Sequence, residues 1–93
     1  MQQTISIIVT GKVQGVFYRQ TTKEKADEWG IVGTVKNMQD KSVHIVATAT
    51  KDQLDRLIAW CKQGPAKAVV ASVDWKEIPL QTFAGFRIVR GSE

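Results

Sequence analysis

The sequence has few of the residues that crosslink chains or bind metals. It contains one cysteine, Cys61, and one histidine, His44, among 93 residues. One cysteine excludes an internal disulfide, and no Cys-x-x-Cys or His-x-x-x-His spacing indicates a metal site. Apolar runs are only a few residues long, and the first residues lack the basic and apolar regions of a secretory signal. We therefore expect no metal, no membrane span and a cytoplasmic location.

Acidic residues are absent from the first part of the chain. No aspartate or glutamate precedes Glu24, although Lys12, Arg19 and Lys23 lie in this segment. Over the whole chain, 13 Lys and Arg against 9 Asp and Glu give a net charge of +4. A net positive charge favours small anions, nucleic acid or anionic surfaces as binding partners, and it does not distinguish among the three. With 43% hydrophobic residues, residues 1–93 are expected to form one domain with its own core.

The segment from Gly11 to Arg19 predicts an anion-binding loop. It joins an apolar strand to a helix through Gly11 and Gly15, and it places Arg19 in the first helical turn. Unpaired backbone N–H groups at a helix start carry partial positive charge, and glycine lets an anion approach them. A cation at this end opposes the helix dipole by a few tenths to about 1 kcal/mol, and a bound anion would reverse that effect.

Hydrophobic periodicity predicts two helices among four strands and a short fifth strand. The strands are expected at Ile5 to Val9, Ile31 to Met38, Ser42 to Ala49, Val69 to Ile78 and Phe86 to Val89, and the helices from about Arg19 to Trp29 and from a capping box at Thr50 and Gln53 to Gly64. The order β-α-β-β-α-β is typical of the α+β, ferredoxin-like split βαβ fold, with an antiparallel sheet and both helices on one face. This fold occurs in proteins of many different functions, so it does not identify the function of this chain.

The loop sequence Gly11-Lys12-Val13-Gln14-Gly15-Val16-Phe17-Tyr18-Arg19 resembles the signature of the acylphosphatase family. The segments Gly33 to Asn37 and Gly64 to Val70 are also similar to that family, and the similarity covers nearly the whole chain. The resemblance implies hydrolysis of acyl phosphates to a carboxylate and inorganic phosphate, without metal or cofactor. It also implies that Arg19 binds the phosphate and Asn37 positions the attacking water. The implied backbone cradle is formed by Gln14, Gly15, Val16, Phe17, Tyr18 and Arg19.

Two positions depart from the family pattern. The family often has an aromatic residue where Thr34 stands, and often a glycine in the hairpin where Lys41 stands. Neither position carries a catalytic role in the family, so the departures concern local packing and turn geometry.

The residues also fit this chemistry without the resemblance. A carboxylate leaving group has a pKa of about 4, so its departure needs no general acid. The loop contains no Asp, Glu, His or Cys that could become a phosphorylated nucleophile. The phosphoryl group must then be positioned, its charge spread over donors, and a water held in line. Arg19 and the loop amides can do the first two, and Asn37 can orient water through its side-chain carbonyl.

Two other interpretations stay open at this level. RNA-recognition domains share this fold and a basic pI near 9.5, but they use closely spaced aromatic residues on the open sheet face, which the first and third strands lack. An anion-sensing domain would bind phosphate without turnover. We expect an acyl phosphate and inorganic phosphate as partners, no nucleic acid, and a monomer. We expect His44 to be a half-buried strand residue and Cys61 a buried helix residue. The acyl group is not identified by the sequence.

Overall fold

The computed structural model describes residues 1–90, whose elements follow the predicted order. The strands are β1 (Gln2–Lys12), β2 (Val32–Asn37), β3 (Val43–Thr50), β4 (Val69–Ile78) and β5 (Phe86–Val89), and the helices are α1 (Tyr18–Glu28) and α2 (Lys51–Gln63). The predicted ferredoxin-like α+β fold is confirmed, including the short fifth strand. Neither helix in this part of the chain has the length and apolar character that crossing a bilayer requires.

The sheet has the strand order β4-β1-β3-β2-β5. The pairs β1 with β3, β1 with β4, and β2 with β3 are antiparallel, as predicted. The fifth strand differs from the wholly antiparallel prediction, because β5 pairs parallel to β2 with Val35 opposite Ile88. The chain leaves β4 at one edge of the sheet and crosses to the other edge, where Gly33 N–H donates to the Gly85 carbonyl at 3.0 Å. The carboxyl ends of β2 and β5 therefore meet at the same end of the sheet.

The core lies between the two helices and one face of the sheet. Alternate residues of the central strands are fully buried there, since successive side chains of a strand point to opposite faces. The largest fully buried side chains include Tyr18, Ile5, Ile7, Ile31, Ile45, Leu54 and Leu57. Burying one such aliphatic side chain contributes about 1.5–3 kcal/mol, so this cluster is the main source of stability and holds the elements that carry the site.

The helix ends show which backbone groups are satisfied within the fold. The predicted capping box starts α2: Thr50 Oγ1 accepts from the Gln53 N–H at 3.3 Å, and Gln53 Oε1 accepts from the Thr50 N–H at 2.8 Å. At the end of α1, Gly30 has a φ of 70° and Ile31 N–H donates to the Ala26 carbonyl at 2.8 Å. This is a Schellman arrangement. The start of α1, in contrast, has no side-chain cap.

Candidate active site

A cleft of about 430 Å³ lies between the loop that precedes α1 and the ends of β2 and β5. Its walls are Val13, Gly15, Phe17, Tyr18, Arg19 and Gln20 on the loop side, and Asn37, Ile88 and Arg90 on the sheet side. The structure thus brings the two predicted catalytic residues, Arg19 and Asn37, to the same cleft. No aspartate or glutamate of residues 1–90 lines it, so its charged side chains are cationic.

The loop backbone presents an unusual row of free donors. None of the backbone N–H groups of residues 14–20 donates a hydrogen bond to an acceptor within residues 1–90. The N-cap residue Phe17 supplies no side-chain hydrogen bond, and the first turn of α1 has no acidic residue. Donors at a helix start are normally satisfied by a cap, by water or by a ligand. Their concentration at one helix N-terminus makes the loop suited to bind an anion.

The loop reaches this shape through two residues in the left-handed backbone region. Gly15 has a φ of 74° and Phe17 a φ of 65°. Where residues in the left-handed region alternate with residues in the right-handed region, successive backbone N–H groups point into one concavity. For a residue other than glycine the conformation costs about 1–2 kcal/mol, and the Phe17 side chain is 75% exposed, so burial of its ring does not offset that cost. Strain of this kind is typical of ligand-binding loops.

The first glycine of the motif lies outside the cleft. Gly11 belongs to β1, has a φ of 121°, and stands beside the irregularity in the pairing of β1 with β4. A Cβ at this position would collide with the backbone of Val69 and Ala71. The two motif glycines therefore have separate roles: Gly11 permits close approach of β4, whereas Gly15 lines the cleft, where an added Cβ meets no atom within 4 Å.

Three side chains between residues 13 and 18 anchor the loop to the core. Val13, Val16 and Tyr18 are buried, and the Tyr18 hydroxyl donates to the Cys61 carbonyl at 2.8 Å. Burial raises the pKa of the Tyr18 phenol well above its usual value, so this residue is unsuited to act as an acid. Since the side chains of Val16 and Tyr18 are directed into the core, only their backbone groups remain for an anion.

Gln14 connects the loop to the hairpin between β2 and β3. Its Nε2 donates to the carbonyl of Met38 at 2.9 Å and to that of Ser42 at 2.8 Å. Met38 directly follows Asn37, so the contact holds the loop against the strand end that carries Asn37. Gln14 can contact an anion only through its backbone N–H.

We expect Gln14→Ala to lower the free energy of unfolding by about 1–3 kcal/mol, the net contribution of two hydrogen bonds to backbone carbonyls. Urea unfolding of the purified variant measures this change. The matched control is Gln63→Ala at the exposed end of α2, where a surface change should stay within about 0.5 kcal/mol. Equal effects of the two substitutions would contradict the connecting role of Gln14.

The two predicted catalytic side chains lack protein partners. The side-chain oxygen Oδ1 of Asn37 is buried and is the one such buried side-chain atom in residues 1–90 without a hydrogen-bond donor. A buried acceptor left unsatisfied costs about 1–3 kcal/mol, so such atoms call for an explanation. Arg19 is half-buried and forms no ion pair within the described residues. Neither group is therefore committed to another residue of the described structure, and both residues line the cleft.

The sequence alone missed four further residues of the cleft, namely Val13, Gln20, Ile88 and Arg90. Ile88 and Arg90 reach the site because β5 pairs parallel to β2. Strand spacing carries no signal for this pairing. Gln20 follows Arg19 in the first turn of α1, so the predicted helix could have indicated its place beside Arg19.

The remaining predicted side chains lie away from the cleft. His44 is half-buried, and its Nε2 lies 2.9 Å from Ser6 Oγ. Burial, with a smaller effect of Lys36, lowers the pKa of His44. Cys61 is buried, and burial raises the pKa of its thiol to about 12. The expectations for both residues are confirmed. Within residues 1–90 no group of three or more His, Cys, Asp or Glu side chains is placed to hold a metal ion.

The two departures from the family pattern have simple structural consequences. Lys41 has a φ of 79°, a left-handed conformation that glycine adopts without strain and that explains a glycine preference in this turn. Thr34 pairs with Val46 and Arg87 in the sheet. It lies outside the cleft, so the missing aromatic side chain does not alter the cleft wall.

The chain is similar to known proteins over most of its length. The family profile Acylphosphatase matches residues 5–88. An acylphosphatase of Marinobacter nauticus is 48% identical over 82 residues, which cover 87% of this chain and 89% of that protein. An acylphosphatase of Acaryochloris marina is 44% identical over 86 residues, or 92% of each chain. The solved structure of an acylphosphatase from Coxiella burnetii has a TM-score of 0.92 at 38% identity and covers 95% of this chain and 93% of that chain.

Proposed function

Because this chain belongs to the acylphosphatase family and is an acylphosphatase, we propose that its cleft hydrolyses acyl phosphates by direct attack of water on phosphorus. One observation carries the proposal: Gly15 and residues 17–20, whose backbone N–H groups are free, line one cleft together with Asn37, whose side-chain oxygen has no partner. These are a set of donors for an anion and one acceptor for a water molecule.

The phosphoryl group binds to the loop in this proposal. Its oxygens accept hydrogen bonds from the backbone N–H groups of residues 14–19 and from Arg19. A guanidinium matches two phosphoryl oxygens as a planar fork, and such charge-assisted hydrogen bonds are about twice as strong as neutral ones. The positive end of the α1 dipole adds to the attraction. The donors are already in place, so little reorganisation accompanies the reaction.

Asn37 positions the nucleophile. Its Oδ1 accepts a hydrogen bond from water and thereby turns a lone pair of the water oxygen toward phosphorus. The bond from the water oxygen to phosphorus forms while the bond from phosphorus to the acyl oxygen breaks. The electron pair of the broken bond leaves on the carboxylate, and the water protons pass to the phosphate product and to solvent. Asn37 orients the water and removes no proton.

The reaction in this form needs no acid and no metal. A carboxylate leaving group has a pKa of about 4 and departs without protonation. Tyr18 carries the one hydroxyl or acid group among the described residues that line the cleft, and burial raises the pKa of its phenol well above the usual value, so it is unsuited to donate a proton. A poor leaving group would therefore not be expelled.

We expect the protein to hydrolyse benzoyl phosphate at the same rate with and without excess EDTA. Phenyl phosphate is the matched control substrate, because it differs mainly in a leaving group with a pKa of about 10. Without a general acid it should react at least about 10²-fold more slowly, since acid catalysis contributes factors of about 10²–10⁴ where it operates. Release of inorganic phosphate measures both rates. Loss of activity with EDTA, or similar rates for the two substrates, would contradict the mechanism.

A domain that senses anions without turnover is the second candidate. It would use the same loop and Arg19, and phosphate would protect it against unfolding. The unpartnered oxygen of Asn37 favours hydrolysis over sensing, because an acceptor oxygen repels a bound anion and is useful only when a hydrogen-bond donor such as water joins the anion in the cleft. Phosphate binding with no detectable hydrolysis of benzoyl phosphate would favour the sensor.

A further inference from the structure

The sheet side of the cleft carries a second guanidinium. Val35 pairs with Ile88 and Lys36 with Val89 in the parallel pair of β2 and β5, so Arg90 follows at the level of Asn37. Side chains on a strand alternate between faces. Val35 is fully buried on the helix side, which directs Asn37, two positions later, to that same side. Arg90 stands in the same relation to Ile88, and Arg90, Ile88 and Asn37 all line the cleft.

The charge at Arg90 is not neutralised by its surroundings in the described structure. No aspartate or glutamate of residues 1–90 lines the cleft, and Arg90 forms no ion pair within that range. Arg90 and Arg19 thus approach one space from opposite walls. Two like charges in a cleft with low-dielectric walls raise the local concentration of anions. An anion between them removes their mutual repulsion as well as pairing with each of them.

We propose that Arg90 is a second phosphate-binding residue, which attracts the phosphoryl dianion from the sheet side of the cleft while Arg19 and the loop amides hold it from the other. The proposal rests on the proposed function. Its position beside Asn37 assigns Arg90 to the phosphoryl and water end of the substrate, because in-line attack places the acyl group on the far side of phosphorus from the water.

A residue in this role affects substrate binding and leaves the rate of the chemical step unchanged. In the transition state the charge of the transferred group is spread over its three outer oxygens, and the preorganised fork of Arg19 with the loop amides is the set of donors that follows this charge. Arg90 is exposed on the other wall of the cleft, and in this proposal it attracts the phosphoryl group to similar degrees in substrate, transition state and phosphate product. Such uniform binding changes KM and leaves kcat unchanged. The affinity for inorganic phosphate should change by the same factor as KM.

The experiment compares Arg90→Gln with Arg87→Gln. Arg87 is exposed on the same strand and pairs with Thr34, an odd number of positions from Arg90 and so on the opposite face of the sheet. Both variants lose one positive charge, and only one loses it from the cleft. Calorimetric titration with inorganic phosphate gives Kd, and hydrolysis of benzoyl phosphate gives KM and kcat. Thermal unfolding verifies that both variants are folded.

We expect Arg90→Gln to raise Kd for phosphate and KM for benzoyl phosphate together by about fivefold to tenfold, near the factor of ten that corresponds to one charge-assisted hydrogen bond. The value of kcat should change less than about twofold, as for a uniformly bound group. Added salt should reduce the difference from the unmodified protein, because Arg90 is exposed. Arg90→Lys should recover part of the affinity, since it keeps the charge and loses the fork.

Two results would overturn the proposal: an unchanged Kd in Arg90→Gln, whether or not kcat falls, or an equal rise of Kd in Arg87→Gln. Each is distinct from failure of the proposed function. That failure would appear as absence of benzoyl phosphate hydrolysis by the unmodified protein, while the phosphate titrations would still report on Arg90.

Discussion

Arg19→Gln lowers kcat/KM for benzoyl phosphate by at least about 10³-fold, because guanidinium groups that stabilise phosphoryl transfer contribute about 10³–10⁵ to the rate. Glutamine keeps the polarity of the side chain and removes both the charge and the fork. Phosphate binding should weaken as well, since Arg19 contacts substrate and product in the proposed site. Steady-state hydrolysis and titration with inorganic phosphate measure the two effects.

Lys23→Gln is the matched control for this prediction. Lys23 lies one turn further along α1, where its Nζ is 2.6 Å from Asp27 Oδ2 in an exposed ion pair. Such a pair contributes about 0.2–1 kcal/mol to stability, and the residue does not line the cleft. We expect Lys23→Gln to keep nearly full activity. More than a tenth of the activity remaining in Arg19→Gln, or a comparable loss in Lys23→Gln, would show that the charge of Arg19 is not specifically required.

Arg19→Gln should lower the activity without lowering the stability. Arg19 opposes the dipole of α1, a cost of a few tenths to about 1 kcal/mol, and it forms no ion pair within the described residues. Arg19→Gln should therefore be as stable as the unmodified protein or slightly more stable in urea unfolding. A loss of activity with retained stability separates a functional residue from a structural one.

Asn37→Ala lowers kcat for benzoyl phosphate by about 10²–10³-fold, the range seen when one preorganised hydrogen-bonding group is removed from a reacting centre. The inhibition constant of inorganic phosphate should change by less than about twofold, because Asn37 contacts the water and not the phosphoryl oxygens. Initial rates at several phosphate concentrations yield both constants. If phosphate binding weakened as much as kcat fell, Asn37 would belong to the anion site.

Asn37→Asp refines this prediction. Aspartate keeps an acceptor oxygen in place and adds a negative charge, which repels a phosphate dianion held a few ångströms away. We expect weaker phosphate inhibition in Asn37→Asp than in Asn37→Ala. Equal inhibition of the two variants would place the side chain away from the anion. Asn37→Ala should also cost little stability, because it removes a buried oxygen that has no donor in residues 1–90.

The elements of the fold could be predicted from the sequence because their signals are local. The stripe of Leu54, Leu57, Ile58 and Cys61 marks α2, whose buried residues are these four, and the capping box at Thr50 sets its start. The place of the loop between β1 and α1 was also predictable, since it needs only a strand, a glycine and a helix start in succession. Local periodicity and turn chemistry decide these features.

The missed features depend on contacts distant in sequence. The direction of β5 is decided by the crossing from β4 to the far edge of the sheet, and this crossing brings Arg90 to the cleft. The separate role of Gly11 follows from the approach of β4, a strand almost 60 residues later. The left-handed conformation of Phe17, which stands exposed between the buried residues Val16 and Tyr18, was not predicted either. Spacing along the chain carries no information on such contacts.

The most direct test of the shared phosphate site is a titration of the ¹⁵N-labelled protein with inorganic phosphate, followed by amide chemical shifts. We expect the largest shifts at the backbone amides of residues 14–20 and at the side-chain amide of Asn37, with one common Kd. Arg19→Gln should abolish them at the same phosphate concentrations. Largest shifts on the open face of the sheet around His44, with the loop amides unmoved, would contradict the assignment of the cleft as the phosphate site.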